Sequence, residues 1–467
     1  PANWTDKVRF KPSPHHGCIM ERPQECSPQC KSNIAPTALM LSLASATAAC
    51  QPNDVVNNLP DDILDLIFHH CIALRQRPPD ALTERATHSP HPAIPLSQVC
   101  RAWREVVVST PTLWRYIELV IRRFHHLTVF GTPADPKEVT NRTNSIQNLK
   151  IFTLECLQRS GNSPLAIWLD WDMISNGAPQ PMLSALRDIL DALLTSTHRW
   201  ESVHIAVTMR KATGLVVDPA FSPLQLLRIP VQNLPMLRSY SVTGVIPETE
   251  LAPHDPQFMS DQSWIGALSS PTLTTLNLSL MWGDVLGFPV HWGSLRSLTI
   301  GESGSQCRFL ASDALRVLRV ATNLVECSLY FQHPRTTPPV PEPQLARETP
   351  VHMRLLKTLE LKGLPSPPLL PDLINCPLLQ SLSLRLLGQG GVEDPTTLPS
   401  WIHRYGAQLK EFKVACTLCR HEEMERCLKE LKVVEVLAVR QWAGRNRRDQ
   451  PRMGHWLQWS SPDTGER

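Results

Sequence analysis

The feature that most constrains the fold is a short apolar template that recurs through the carboxy-terminal half of the chain. It reads apolar-x-x-apolar-x-apolar, and its last two apolar positions alternate with a polar one, as in a strand with one buried face. Successive copies start 22 to 36 residues apart. A chain that repeats one strand in this way can close its core by stacking the strands side by side. The eight copies begin at Leu237, Leu273, Leu295, Leu324, Leu356, Leu379, Leu409 and Val434.

The stretches between the copies are helix-like or rich in proline, for example residues 311–322 and 367–377. Together with these stretches, the array resembles a leucine-rich repeat region, whose repeats usually span about 20 to 29 residues. The resemblance implies that residues 119–440 form a solenoid with a parallel sheet along its concave side, and an α/β fold class for the chain. Stretches near Leu165 and Trp200 fit as earlier, degenerate units. The alternative is a conventional α/β domain with unrelated buried strands.

Two departures from the leucine-rich repeat pattern predict an irregular solenoid. Three of the spacings between copies exceed the usual range, so extra loop residues are inserted. The Asn or Cys expected three positions after the last apolar residue is absent from every copy, which removes the usual ladder of side-chain bonds to the backbone. A solenoid of this kind binds partners through polar residues of its concave side, for which we select Thr275, Asn277, Arg296, Lys357 and Arg385.

Ahead of the repeats, residues 57–76 predict an amphipathic helix. Pro60 stands where a missing amide proton costs little, and Asp61 and Asp62 suit the positive end of the helix dipole. A short helix cannot bury a strong apolar stripe without a partner. The stripe recurs at helical spacing and consists of Ile63, Leu64, Ile67, Phe68, Cys71 and Ile72.

A second amphipathic helix follows a stretch, residues 75–95, whose five prolines predict a loop. Pro111 ends this second helix, and Arg101, Arg104 and Glu105 point away from its apolar face. Two such helices could form only a small bundle, and a bundle of about fifty residues is marginal by itself. The apolar face consists of Leu96, Val99, Cys100, Trp103, Val106 and Val107, and Leu113 and Trp114 come just after it.

In this order, the two segments resemble an F-box over residues 55–118. The motif elements are Leu59-Pro60, Asp61-Asp62, Ile63-Leu64, Ile67-Phe68, Val99-Cys100, Trp103 and Leu113-Trp114. Two features depart from the family. Asp62 stands where the family usually has Glu, and 27 residues separate Phe68 from Leu96, which leaves the middle helix of the motif hard to place.

The resemblance implies a specific role. An F-box docks on a small Skp-type adaptor, which joins it to a cullin-RING (SCF-type) ubiquitin ligase, while the rest of the protein binds a protein substrate and performs no chemistry. We expect residues at or beside the adaptor contact to be Leu59, Pro60, Ile63, Leu64, Ile67 and Phe68, and those of the internal packing to be Val99, Cys100, Trp103, Val106, Leu113 and Trp114. The alternative is that all these residues are the core of a larger helical domain.

No motif for catalysis or for a cofactor emerges from the sequence. Phosphate loops, nucleophile elbows, paired zinc-binding helices and kinase signatures are absent from it. The net charge of +3 is nearly balanced, so the whole chain is not expected to bind nucleic acid. No stretch reaches the roughly 18 to 20 apolar residues of a membrane span. We therefore expect a protein that is not an enzyme and has no cofactor.

Two groups of cysteine and histidine contain the residue types of a zinc site. Cys416, Cys419, His421 and Cys427 lie within twelve residues, but Cys419 and Cys427 would stand about 12 Å apart along a helix. That separation is too large for one tetrahedral ion. The second group lies in a polar segment without period, and we expect no metal there either; it consists of His15, His16, Cys18, Cys26 and Cys30.

The two ends of the chain are expected to lack stable structure. Residues 1–52 are polar and rich in Pro and Cys, which predicts disorder. Residues 441–467 predict a loose basic tail, in which arginines are interleaved with tryptophans as in some single-strand nucleic-acid binders. Residues 35–50 resemble a secretion signal but follow 34 other residues, so a weak helix or linker is the better interpretation. The first residue, Pro1, leaves the natural start open.

Cysteine usage and the motifs together favour a cytoplasmic or nuclear protein. The thirteen cysteines lie mostly as single residues in apolar stretches, such as Cys71, Cys100 and Cys327, which predicts reduced and buried thiols. The sequence as a whole predicts a substrate-recognition adaptor of a ubiquitin ligase. The alternatives are a leucine-rich-repeat-type interaction scaffold that is not coupled to ubiquitination, and an enzyme with a pocket that carries no recognisable motif.

Overall fold

A computed structural model describes the helical front of the chain and most strands of the repeated region. The expected disorder of residues 1–52 and most of the expected tail lie outside the described residues. The described residues are 59–76, 91–121, 135–172, 179–208, 226, 228–245, 265–279, 285–301, 309–331, 348–363, 370–386, 397–416, 431, 436–441 and 457–460.

The front of the chain is built from three helices and a turn. Helix α1 spans Asp61–Gln76, α2 spans Ala93–Ser97 and α3 spans Arg101–Ser109, and a 3-10 turn follows at Pro111–Trp114. Helix α2 corrects the prediction of a loop through residue 95. Its prolines stand at the N-cap and in the first turn, where a missing amide proton breaks no helical hydrogen bond.

A parallel sheet dominates the rest of the described chain and confirms the α/β class. Its strands lie side by side in chain order, and only the last one is antiparallel to its neighbour. The strands are β1 Tyr116–Ile121, β2 Leu165–Asp172, β3 Trp200–Thr208, β4 Ser239–Val245, β5 Thr275–Leu278, β6 Ser297–Ile300, β7 Glu326–Phe331, β9 Thr358–Gly363, β11 Ser381–Leu386, β12 Glu411–Cys416, β13 Val436–Gln441 and β14 Leu457–Ser460. Two short strands, β8 Val351–His352 and β10 Ile374–Asn375, pair separately.

Every copy of the apolar template forms a strand that begins at its third residue. The template at Leu356, for example, becomes β9 from Thr358, and the template at Leu379 becomes β11 from Ser381. The stretches near Leu165 and Trp200 also form strands of the same sheet. Strand β1 has no template copy and was not predicted. Strand β14 differs from the loose tail that the sequence predicts for residues 441–467.

The apolar positions of the strands stand in register and form one core. A row that crosses the sheet contains Leu119, Leu169, Ile205, Val242, Leu278, Ile300, Leu329, Leu361, Leu384 and Val414, all buried. The remaining helices bury apolar side chains in the same core. They are α4 Pro136–Arg159, α5 Gln180–Thr195, α6 Ala311–Val320, α7 Leu370–Leu373 and α8 Thr397–Tyr405. Helices α4 and α5 contain the stretches at 145–160 and 181–196, which are helix-like in the sequence as well. Within the described ranges, no helix is long and apolar enough to cross a bilayer.

Hydroxyl side chains supply some of the hydrogen bonds to backbone carbonyls that an Asn ladder would otherwise make. The hydroxyl of Thr272 donates to the carbonyl oxygen of Leu237 at 2.7 Å, and that of Ser294 donates to the carbonyl oxygen of Leu273 at 2.9 Å. In both cases the acceptor is the first residue of a template. A carbonyl next to a buried strand must be hydrogen-bonded, and these turns supply the donor from the following unit. Because the donors differ from unit to unit, the turns are irregular.

Candidate partner-binding surfaces

Helix α1 has one side that packs on its own chain. Leu64, Phe68 and Ile72 follow each other at intervals of four residues and are buried. The Phe68 ring meets the Trp103 ring of α3 edge to face, with centroids 4.9 Å apart. Helices shorter than about five turns depend on such packing for stability, so this side fixes α1 on α3.

The other side of α1 leaves apolar surface outside the core. Ile63 is 40% exposed and Leu66 is 68% exposed, while Leu59 and Ile67 are half-buried at the edge of the core. With 3.6 residues per turn, these four residues lie on one side of the helix, roughly opposite Phe68. We call Leu59, Ile63, Leu66 and Ile67 the α1 strip.

The start of α1 fixes the first residues of this strip. The carbonyl oxygen of Pro60 accepts hydrogen bonds from the amides of Ile63 and Leu64, each at 3.0 Å. Pro60, Asp61 and Asp62 are exposed, and the two carboxylates stand at the positive end of the helix dipole. The strip therefore begins beside an exposed proline and two exposed acids.

Helix α3 supplies the packing that the sequence predicts for most of its motif residues. The thiol sulfur of Cys100 accepts a hydrogen bond from the amide of Trp103 at 3.4 Å and so caps the helix. The indole N–H of Trp114 donates to the carbonyl oxygen of Val107 at 2.7 Å. The apolar side chains that are buried here are Trp103, Val106, Val107, Leu113 and Trp114. Cys100 is half-buried against them.

Three residues depart from the predicted division between adaptor contact and packing. The sequence predicts Leu64 and Phe68 at or beside the adaptor contact, but both are buried against their own chain and serve internal packing. Val99 was assigned to packing but is 55% exposed, because it lies in the bend before α3 rather than in the helix. The surface available to a partner thus loses two predicted residues and gains Val99.

The sequence prediction missed Leu66, the most exposed apolar side chain in the part of α1 whose side chains the structure describes. Its signal was present in the spacing. Leu64, Phe68 and Ile72 are spaced four residues apart, and Leu66 does not share this spacing, so it lies outside their stripe. Leu66 instead follows Ile63 by three residues. An apolar residue off the buried stripe of a short helix indicates a second apolar surface.

A histidine ties α1 to the turn behind it. The Nδ1 atom of His69 lies 2.8 Å from the carbonyl oxygen of Asp65, and its Nε2 atom lies 3.0 Å from the hydroxyl of Thr112. This imidazole bridges α1 and the 3-10 turn at Pro111–Trp114. The bridge holds the α1 strip in a fixed orientation relative to α3.

The helical front is also joined firmly to the sheet. The Trp114 indole stacks on the His91 ring, with centroids 5.5 Å apart and nearly parallel planes. The Arg159 guanidinium of α4 also stands over this indole, 4.5 Å from its centre. His91 accepts from the amide of Ala93 and bonds the carbonyl oxygen of Tyr116 at 3.0 Å. The predicted domain boundary at 118/119 falls inside β1. The helical front and the sheet also share one core.

The second candidate surface is the face of the sheet that the helices leave open. Its side chains stand in register between the core rows and are mostly half-exposed. We call this the open face. One of its rows contains Glu118, Trp168, His204, Ser241, Asn277, Thr299, Ser328, Glu360, Ser383 and Lys413.

Polar groups on the open face bond to one another. Glu360 pairs with the Lys362 ammonium at 2.8 Å and with the Arg385 guanidinium at 3.3 Å. At the other end, the rings of Trp168 and His204 stack with centroids 3.6 Å apart. The open face is therefore an ordered polar surface with an aromatic pair at β2–β3 and ion pairs from β9 onward.

Three of the five residues that the sequence suggests for the concave side stand on the open face. Thr275, Asn277 and Arg385 stand on the open face. Arg296 and Lys357 do not, because each precedes the first residue of its strand. Both are exposed at the end of the sheet where the strands begin.

The described residues offer little for metal or nucleophile chemistry. No group of three or more potential metal ligands exists among them. Burial raises the pKa of Cys156 and that of Cys376 to about 12, so both thiols stay protonated and unreactive. Cys71 is exposed, contrary to the prediction of a buried thiol. The ligand candidates Cys419, His421 and Cys427, and those from His15 to Cys30, lie outside the described residues.

Comparison with known proteins gives one result for this geometry. No curated protein matches the chain. The family model described as F-box-like matches residues 56–119, which run from just before α1 into β1. The helical front, with its packed motif residues and its exposed α1 strip, is therefore an F-box-like domain.

Proposed function

We propose that the protein is a substrate-recognition adaptor of an SCF-type cullin-RING ubiquitin ligase. Its F-box-like domain docks on a Skp-type adaptor, and its sheet region binds a protein substrate. The protein itself catalyses no reaction and holds no cofactor in this role. It works in the cytoplasm or the nucleus, where such ligases act.

The α1 strip is the observation that carries this proposal. Ile63 and Leu66 remain exposed although Leu64 and Phe68 pack fully, so the apolar surface of α1 exceeds what the chain itself covers. An amphipathic helix with such a surplus is suited to packing against a partner's helix or groove. In an F-box-like domain, that partner is the Skp-type adaptor.

The sheet region fits the role of a leucine-rich-repeat-like solenoid. Each template copy contributes one parallel strand, consecutive strands are neighbours, and their backbones continue one hydrogen-bonded ladder. The open face gives such an array a continuous polar surface for a protein substrate. Its ion pairs and aromatic pair are already ordered, which lowers the entropic cost of binding.

The experiment is a pull-down of the full chain with a purified Skp-type adaptor. The parent is compared with a variant that carries Leu59→Ala and Ile63→Asp, and with the control variant Val320→Asp. Val320 is exposed to nearly the same degree as Ile63 but lies on α6, far along the chain. A charge in a desolvated helical interface costs several kcal/mol.

We expect the parent and the control to retain the adaptor and the α1 variant to lose it. Capture of the adaptor by all three proteins would refute docking through the α1 strip. Capture by none of them, with all three folded, would favour a scaffold that is not coupled to ubiquitination.

A further inference from the structure

The backbone ladder of the sheet begins one residue before the strands themselves. The amide of Arg296 donates to the carbonyl oxygen of Thr274 at 2.8 Å, and the amide of Val325 donates to that of Arg296 at 2.7 Å. The same bond recurs in every step from β4 to β12. It aligns one residue per strand in a row at the amino-terminal end of the sheet. We call this row of residues the rim row; its members are Arg238, Thr274, Arg296, Val325, Lys357, Gln380 and Lys410.

Every second residue of the rim row is basic. Arg238, Arg296, Lys357 and Lys410 alternate with Thr274, Val325 and Gln380, and all four basic side chains are exposed. Neighbouring strands lie about 4.8 Å apart, so successive basic residues are about 10 Å apart along the row. The row therefore presents positive charge at a regular interval over about 30 Å.

These charges are not neutralised within the described part of the chain. No carboxylate of a described residue lies within ion-pair distance of Arg238, Arg296, Lys357 or Lys410. Of the carboxylates nearby, Glu201 pairs with the Arg115 guanidinium at 4.0 Å, and Glu326 accepts a hydrogen bond from the Ser297 hydroxyl at 3.2 Å. Glu360 pairs with Lys362 and Arg385, and Glu411 pairs with Lys413 at 2.6 Å.

We infer that the rim row binds an extended acidic segment of the protein substrate. This inference rests on the proposed function and names the chemistry of its substrate. An extended chain rises about 3.3 Å per residue, so three residues cover one 10 Å step. In the polyproline II conformation, which rises about 3.1 Å per residue and turns once every three residues, a segment of about ten residues with an acid at every third position would place all its carboxylates on one side, one near each basic residue of the row.

The residues between the basic ones favour a protein segment over a single-stranded nucleic acid. Proteins that bind single strands combine a positive groove with aromatic side chains on which bases stack. The intervening residues are Thr274, Val325 and Gln380, which offer no aromatic surface. Charge without stacking positions fits a peptide whose backbone is neutral and whose side chains carry the charge.

The test measures binding of a fluorescent ten-residue peptide with glutamate at every third position to the full chain at low ionic strength. A peptide with glutamine in place of glutamate is the ligand control. The rim variant carries Arg296→Glu and Lys357→Glu. The control variant carries Lys137→Glu and Arg187→Glu, which change the net charge equally at exposed positions of α4 and α5.

We expect the parent and the control variant to bind the glutamate peptide at least about tenfold more tightly than the rim variant does, with the difference shrinking at high salt. The parent should also prefer glutamate to glutamine by about tenfold. Equal binding of both peptides, equal binding by both variants, or no binding by the parent would each overturn the inference. Should the rim variant melt at a lower temperature than the parent, Arg296→Gln with Lys357→Gln replaces it.

The same proteins separate this inference from the proposed function. The rim variant should capture the Skp-type adaptor as the parent does, because the α1 strip is unchanged. Loss of peptide binding with intact adaptor capture supports the rim row. Peptide binding by a parent that captures no adaptor would support the rim row and refute the ligase role.

Discussion

The rings of Phe68 and Trp103 meet edge to face, 4.9 Å apart between centroids and inclined by 63°. This contact joins α1 to α3 and lies wholly inside the protein. Aromatic pairs in this geometry contribute beyond the area that they bury. The contact divides the apolar residues of α1 into those that hold the fold and those that remain for a partner.

Truncation on the two sides of α1 should therefore have different effects on stability. Phe68→Ala removes a fully buried ring and should lower the free energy of unfolding by about 3 to 5 kcal/mol. Leu66→Ala removes an exposed side chain and should change it by less than about 0.5 kcal/mol. Thermal unfolding followed by tryptophan fluorescence measures both. Similar losses for the two variants would show that Leu66 is part of the core.

Glycines at two strand ends allow close approach of neighbouring strands. Gly244 and Gly363 have φ angles of +140° and +104°, and a Cβ atom there would stand 1.8 Å from the Val207 carbonyl oxygen and 1.9 Å from that of Phe331. Gly363→Ala should therefore cost about 3 kcal/mol or more, because both the backbone conformation and the space exclude a side chain. Gly293 has no neighbour within 4 Å of such a Cβ, so Gly293→Ala is the matched control. Equal unfolding midpoints for the two variants would contradict this strand geometry.

Arg199 should be a stability residue although it is charged. Its buried guanidinium donates to the carbonyl oxygen of Ser163 at 3.0 and 3.1 Å and to the hydroxyl of Ser160 at 2.6 Å, just beyond the end of α4. Burial lowers the pKa of Arg199, but these acceptors and the negative end of the helix dipole favour the cation. Arg199→Met leaves them unpaired and should cost about 2 to 4 kcal/mol.

The exposed Arg354→Met should change the free energy of unfolding by less than about 0.5 kcal/mol in the same assay. An Arg199→Met protein that is as stable as this control would mean that water replaces the guanidinium at no cost.

Glu411 should make a pH-dependent contribution to stability. Partial burial opposes its ionisation, but hydrogen bonds from Lys413 and Ser381 outweigh that effect and lower the pKa of Glu411 below its ordinary value of 4.5. A carboxyl whose pKa is lowered on folding stabilises the fold above its ordinary pKa, and the stabilisation disappears as pH falls through the lower, folded value. Glu411→Gln should thus be less stable than the parent at neutral pH, and the gap should close below pH 4.5. A gap that is constant with pH would exclude this origin.

The strands of the sheet could be predicted because their signal is local. Each template alternates apolar and polar residues, and each forms a strand from its third residue. Strand β1 escaped prediction because it follows the 3-10 turn without a template. Helix α2 was not predicted because Pro92 and Pro95 are typical of a loop. Both prolines nevertheless stand at the start of the helix, where proline is tolerated.

The two sides of α1 could not be separated from the sequence alone. Ile63 and Leu64 are adjacent and equally apolar, and only the tertiary structure decides that Leu64 is buried in the core while Ile63 stays exposed. The same holds for Val99, whose exposure follows from the bend before α3. Spacing predicts that a helix is amphipathic, but a broad stripe does not say which part of it the chain covers.

The most direct test of the ligase-adaptor account is the dissociation constant of the full chain and a Skp-type adaptor, measured by calorimetry for the parent, Leu66→Asp and Ile151→Asp. Leu66 on α1 and Ile151 on α4 are 68% and 63% exposed, so the two substitutions place the same charge at equally accessible apolar positions. The account predicts that Leu66→Asp weakens binding by about a hundredfold, nearly 3 kcal/mol, and that Ile151→Asp binds like the parent. Equal dissociation constants for Leu66→Asp and the parent would contradict it.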